Sequence, residues 1–193
     1  PRVVERLSPR GRAWLHALCA RRECDAVQER CILFVDRHYW IVSDWLRAGT
    51  THEYALKFQL GGAAQDRTSL DFEGGLRLRS PGLVIAQPSR PGLRPELVPG
   101  WVSARYGSKE AAPALRCTLV GRDADFDSVL LPWGDDEPWL HVDDVPAHAD
   151  NGAVVGARAL RIELVIGGER VTDYWFHARG EPERIHGLPF HLD

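Results

Sequence analysis

In the stretch PGWVSARYGSKEAAPAL (residues 99–115), Trp101, Ser103, Arg105 and Tyr106 fall within six positions, between Gly100 and Gly107. A tyrosine hydroxyl can exchange a proton with a substrate, and a guanidinium can pair in bidentate fashion with a carboxylate or sulfate. A flat indole can lie on a sugar face. Two readings of the stretch are open: contact with a substrate, or the edge of a sheet where the Tyr106 ring packs with its hydroxyl bonded. Further back, Arg77, Arg79, Arg90 and Arg94 stand against a single acid between residues 77 and 96. Together with Trp101, Arg105 and Tyr106 they are the candidate binding residues for an acidic polymer; for the arginines the alternative is a solvated face.

The opposite charge follows. Eight acids and no Lys or Arg lie between Asp123 and Asp144. Within that run DADFDS (123–128) begins like a calcium loop, but it has no glycine at the sixth loop position and Gly134 stands at the twelfth. It therefore reads as a solvated strand or turn. A third group is His38, Asp44 and His52, which can meet if the chain forms a hairpin at RAGT (47–50). In an extended strand residues 38 and 44 share a face, and the register decides whether His52 joins them.

These groups need elements to position them. The segment SPRGRAWLHALCARRECDAV can hold one short helix over residues 10–22, and after it the period changes. RCILFVD, HYWIVSDWL and HEYALKFQL are short runs rich in β-branched and aromatic residues. TSLDFEGGLRLRS reads as a hairpin on Gly74-Gly75, and ALRIELVIGGERVTDYWFHA as another on Gly167-Gly168. GLVIAQP, PALRCTLVG and DFDSVLLP add strands, while PSRPGLRPELVPG (88–100) reads as a loop crossing between sheets. About ten strands without alternating helices exclude a doubly wound parallel sheet. The fold expected is mainly β: an antiparallel β-sandwich of two packed sheets with one short N-terminal helix, a single domain over 1–193.

Composition narrows the partners. A net charge of −3 argues against general nucleic-acid binding. No apolar run approaches a bilayer span, and PRVVERLSPRGRAW has no signal core, so the chain itself carries no membrane or export element. With no Met, either an initiator was removed ahead of Pro1 or the chain is a piece of a longer protein. Only Lys57 and Lys109 of the 24 basic residues are lysine. Cys19, Cys24, Cys31 and Cys117 form no CxxC pair, so free thiols are expected, a disulfide being the alternative. Of seven Trp, Trp40, Trp45 and Trp175 lie inside apolar runs and read as core.

The order of these pieces resembles the C-terminal β-sandwich region of the heparinase II/III-like polysaccharide lyases. The resemblance rests on Arg30, Leu33 to Val35, Tyr39, Trp40, Asp44, His52 and Phe58, then on Trp101, Ser103, Tyr106, Gly107, Lys109, Pro113 and Leu130 to Pro132. It covers about residues 28–132, and the last 60 residues add a compatible β pattern. It implies a larger lyase that cleaves uronic-acid polysaccharides by β-elimination, with a catalytic α/α-toroid upstream that supplies most of the chemistry. Acidic polysaccharide is then the partner, and no catalytic residue is assigned to this chain. Some relatives hold a structural zinc with His and Asp from this region. Asp44 matches the Asp, but Gln59 stands where the His is expected and Gln28 departs from a further His. No cofactor is therefore expected; a zinc found here would point to Asp44 with His52 or His38. A non-catalytic domain that binds acidic polysaccharide, or a purely structural sandwich, is the alternative.

Overall fold

Leu76-Arg77-Leu78-Arg79 alternates apolar and charged side chains, so an extended strand there buries one face and turns the other outward. The computed structural model extends such pairing through most of the chain and describes residues 2–7, 13–20, 25–149, 152–153, 157–166, 168–178 and 190–192. The strands are β1 (Arg2–Leu7), β2 (Ala13–Ala20), β3 (Val27–Val35), β4 (Tyr39–Gln59), β5 (Ser69–Asp71), β6 (Leu76–Ser80), β7 (Leu83–Gln87) and β8 (Arg94–Val102). After them come β9 (Glu110–Pro132), β10 (Leu140–Val145), β11 (Ala147–Ala149), β12 (Gly152–Ala153), β13 (Ala157–Ile166), β14 (Glu169–Ala178) and β15 (Phe190–Leu192). One tight 3-10 turn, Gly62–Ala64, follows β4.

A nine-stranded antiparallel sheet runs β1-β2-β3-β4-β9-β7-β6-β5, with β8 added to β9. A three-stranded sheet, β10-β13-β14, packs on it, and β12-β11-β15 forms a third small sheet. Both expected hairpins are present: Ser69 to Asp71 pair with Arg79 to Arg77, and β13 pairs with β14 from Ala157 to Ile166.

Three expectations are corrected. Ala13–Ala20 is strand β2, not part of a helix, because it pairs with β1 on one side and β3 on the other. The helical preference of Ala and Leu is only a few tenths of a kcal/mol per residue, and ladder pairing on both edges overrides it. Residues 10–12 and 21–22 of that helix lie outside the described residues. RAGT is not a hairpin turn: β4 runs through it, and the ladder with β9 skips from Arg47↔Asp123 to His52↔Gly121. The extra residues form a bulge, which bends a strand without ending it. Finally, the second half of 88–100 is strand, since Arg94–Val102 pairs with Glu110 to Thr118.

The β4–β9 ribbon organises the rest. Its strands are 21 and 23 residues long, several times the usual five or six. Tyr39, Ile41 and Trp45 of β4 join Val129 and Leu131 of β9 and Val84 and Ala86 of β7. That face packs on Leu140, Val142, Leu160, Ile162, Leu164 and Trp175 of the smaller sheet. Beyond the bend, Tyr54, Leu56, Leu115 and Cys117 curl over Leu76, Leu78 and Ile85, the opposite face of β6–β7. Strand β7 is thus buried on both faces, which is why Leu-Val-Ile-Ala is apolar without alternation.

Gly121 sits where the ribbon bends. A Cβ there would lie 2.9 Å from the Asp123 carbonyl oxygen, a backbone atom that cannot swing away. Gly121→Ala is therefore expected to lower unfolding free energy by about 1–3 kcal/mol. Gly134→Ala, where a Cβ meets nothing within 4 Å, should change it by less than about 0.5 kcal/mol. Urea titrations of the two variants check this; equal stabilities would mean that the bend does not depend on Gly121.

Candidate functional site

The acidic run and the arginines meet between the two main sheets. Asp123, Asp125 and Asp127 alternate on β9 and face the same way as Val129 and Leu131, toward the smaller sheet. Their side-chain exposure falls from 64% at Asp123 to 20% at Asp125 and 0% at Asp127. Arg47 of β4 pairs with Asp125 (2.7 Å) and more loosely with Asp123 (3.6 Å). Arg158 of β13 donates to Asp125 (2.6 Å) and to Asp144 of β10 (3.4 Å) and forms an ion pair with Asp127 (3.0 Å). Arg90, in the turn between β7 and β8, donates to the Asp127 carboxylate, to Asp144 (3.0 Å) and to the Asp125 carbonyl oxygen (2.8 Å).

DADFDS is therefore not a solvated strand: one face of it is an internal ion network, because each inward carboxylate meets a guanidinium. Burial pushes the Asp127 carboxyl up to about 6, against the Arg90 charge that pulls it down. Burial also raises Asp144, again opposed by Arg90.

Arg90 is consequently an internal residue, 10% exposed, and not a surface cation. Arg77 leans on Asp71 across the β5–β6 hairpin (3.1 Å). Arg79 reaches Glu137 (3.6 Å) and the Ser69 hydroxyl (3.3 Å). Arg94 is exposed at the start of β8. The four arginines do not form one patch: Arg90 is internal, Arg77 and Arg79 lie on the β5–β6 hairpin, and Arg94 begins β8.

The second expected group also stays apart. Asp44 is buried and directly opposite Arg30 in the β3–β4 ladder. Arg30 Nε and Nη2 donate to its two oxygens at 2.6 and 2.8 Å, and Gln28 Nε2 adds a bond of 2.9 Å. His52 lies beyond the bulge, where its Nε2 is 2.6 Å from Asp25 and 3.1 Å from the Thr50 hydroxyl. Asp25 also accepts from the Thr50 amide (2.8 Å) and so ties down the bulge. The His52 bond holds the Asp25 carboxyl below its usual value. His38 sits in the turn after β3, its amide bonded to the Val35 carbonyl (2.8 Å). Among the described residues, no three His, Cys, Asp or Glu side chains come together as metal ligands. Asp25 had no sequence signal, because its partners are 25 and 27 residues away.

The most open group is the β8–β9 hairpin. Gly107 turns the chain with φ +77°. The Ser103 and Ser108 hydroxyls donate to the Arg105 carbonyl oxygen at 2.8 and 2.9 Å, so both serine side chains brace the loop. Of the two readings of Tyr106, the packed ring is not what forms: the side chain stands fully exposed at the apex. Trp101 is 57% exposed, with Lys109 Nζ 4.3 Å from its ring centroid. Beside it runs a groove of about 260 Å³ lined by Leu97, Pro99, Trp101, Ala111, Pro113 and Gln65. Of the three tryptophans expected in the core, Trp45 and Trp175 are there, whereas Trp40 is half-buried and stacks on Phe34 at 4.4 Å. Cys19, Cys31 and Cys117 are free thiols, whereas Cys24 lies outside the described residues.

No family profile and no curated protein matches the chain. Solved structures do match its fold. The heparan sulfate lyase HepC from Pedobacter heparinus superposes with a TM-score of 0.71 at 16% identity, over 90% of this chain and 27% of that one. A heparinase III superposes at 0.65 with 11% identity and the same coverage. The chain thus shares a fold with lyase structures while spanning only 27% of their length.

The ion network generates two predictions. Arg158→Ala leaves buried carboxylates short of a partner and should cost about 3–5 kcal/mol of stability near neutral pH, read by urea unfolding. An effect below about 1 kcal/mol, the usual worth of a surface pair, would contradict an internal network. For Asp127 the folded value of about 6 lies above the ordinary 3.8. Between about pH 4 and 6 the folded chain holds a proton that the unfolded chain releases. That contribution is complete below about pH 4 and is lost as pH rises through about 6. Unfolding free energy of wild type minus that of Asp127→Asn should therefore fall from about pH 5 to 7; a rise would reverse the assignment.

Proposed function

We propose that this chain is the β-sandwich domain of a polysaccharide lyase that acts by β-elimination on uronic-acid-containing polysaccharides, as the C-terminal part of a larger protein with a catalytic toroid upstream. The observation that carries the reading is the shared fold over 90% of the chain with a heparan sulfate lyase and a heparinase III. β-Elimination needs a base for the C5 proton, a cation for the adjoining carboxylate and an acid for the 4-O leaving group. This chain's own groups are poorly placed for proton transfer. Tyr106 is alone at a hairpin apex, the Ser103 hydroxyl is bonded to backbone, and His52 is tied to Asp25. What the chain offers is contact: Trp101, Arg105 and Tyr106 on one exposed hairpin, with Arg77, Arg79 and Arg94 elsewhere on the surface.

The residues at the expected zinc position do not suit the metal. Both Asp44 oxygens accept from Arg30, and the Gln59 amide donates to the Pro113 carbonyl oxygen (3.1 Å). Neutral amides are poor zinc ligands. The proposed reaction involves no step through a metal.

The test is product formation. Protein expressed from the full reading frame that contains this chain should produce, on heparan sulfate, heparin or alginate, the ultraviolet absorbance of the new C4–C5 double bond. The 193-residue chain alone should produce none, because displacing a catalytic group by about 1 Å already costs about a hundredfold in rate. Failure of the full product on all three polymers would overturn the lyase reading. Turnover by the chain alone, lost in Tyr106→Phe, would move the catalysis into the hairpin.

A further inference from the structure

We propose that the groove beside Trp101 is a subsite for one anionic sugar ring, with Lys109 as the cation that selects its charge. The proposal rests on the reading of the chain as a domain that meets acidic polysaccharide, and it gives that contact a place. Of the large apolar side chains at the surface, only Tyr106 and Val120 exceed Trp101 in exposure among the described residues. The indole is nevertheless not loose. Lys109 Nζ lies 4.3 Å from its centroid, which orients the ring and sets a positive charge over the indole that lines the groove.

The lining suits a sugar in chemistry as well as in size. Pro99 and Pro113 are cross-strand partners, as are Trp101 and Ala111, so these four side chains share one face of the β8–β9 pair. They present carbon to the C–H face of a pyranose, while the Gln65 amide at the rim can bond a hydroxyl. From Glu96 to Glu110 the hairpin has two cations, Arg105 and Lys109, and two acids, of which Glu96 pairs with Arg116 (3.5 Å). No carboxylate pairs with either cation among the described residues, in a chain whose net charge is −3. These two cations therefore favour a carboxylate or sulfate against the field of the whole protein.

The test uses the 193-residue chain, a tetrasaccharide prepared from heparan sulfate, and neutral cellotetraose as control. Titration should shift the indole N–H resonance of Trp101, and binding should weaken with added salt. Trp101→Ala should weaken tetrasaccharide binding at least about tenfold, a loss of about 1.4 kcal/mol. Lys109→Ala should weaken the acidic ligand about threefold or more and leave cellotetraose unchanged, while Lys109→Arg retains the preference. Near-ultraviolet dichroism verifies that each surface variant is folded. Tetrasaccharide binding undiminished in Trp101→Ala and Lys109→Ala would overturn the subsite, as would no binding by the wild type. Concentration-dependent dimerisation abolished by Trp101→Ala, with no saccharide bound, would assign the hairpin to a protein contact instead. The lyase reading is decided separately by unsaturated product: an inactive full-length protein whose domain still binds through Trp101 would leave the subsite standing alone.

Discussion

A carboxylate with no access to water must be matched by charge and hydrogen bonds or it will not stay ionised. Asp127 is that carboxylate here, and its partners Arg90 and Arg158 come from the β7–β8 turn and from β13 of the smaller sheet. Arg158 fixes β13, and through it β10 and β14, over the near half of the β4–β9 ribbon. Arg90 fixes the turn that leads into β8, since the Leu93 amide bonds back to the Arg90 carbonyl (3.2 Å). The start of β8, and hence the position of the exposed hairpin it leads to, descends from one buried ion network. Charge pairing of this kind specifies geometry more than it adds stability.

The ribbon supplies what the network cannot. Two separate hydrophobic clusters form on opposite faces of a single bent sheet, and β4 and β9 contribute to both. Burial of apolar surface is non-directional, so it needs the bulge after Arg47 and the small Gly121 to decide where the curl occurs. The far end of the ribbon carries β8 and the Trp101 groove. Rigid strands beneath and a serine-braced loop above hold the aromatic and cationic groups in fixed relation. Such a surface fits the proposed contact with an extended polymer.

Much of the architecture was legible in the residues alone. Gly74-Gly75 marked its hairpin because a tight turn between alternating runs admits few other residues, and the alternating runs of β13 and β14 marked theirs. Period-two patterning and the absence of helix–strand alternation sufficed for antiparallel layers. Trp45 and Trp175 were recognisable as core from their apolar neighbours. These features depend on residues close in sequence, and local chemistry determines them.

Tertiary structure decided the rest, for the reason that pairing partners lie far apart in the chain. Ala13–Ala20 has side chains that suit a helix, yet β1 and β3 on its two edges make it a strand. RAGT has the composition of a turn, but β9 continues alongside, so the residues bulge and His52 is carried away from Asp44. Arg90 looked like Arg94 in sequence; only the approach of Asp127 and Asp144, 37 and 54 residues on, took it out of solvent. Tyr106 and Trp101 could pack or protrude on any local criterion, and the edge position of β8 left them outside. Sequence determined which side chains can carry charge, turn the chain or bury a ring. The folded register determined which of them face each other, because a shift of one residue exchanges the two faces of a strand.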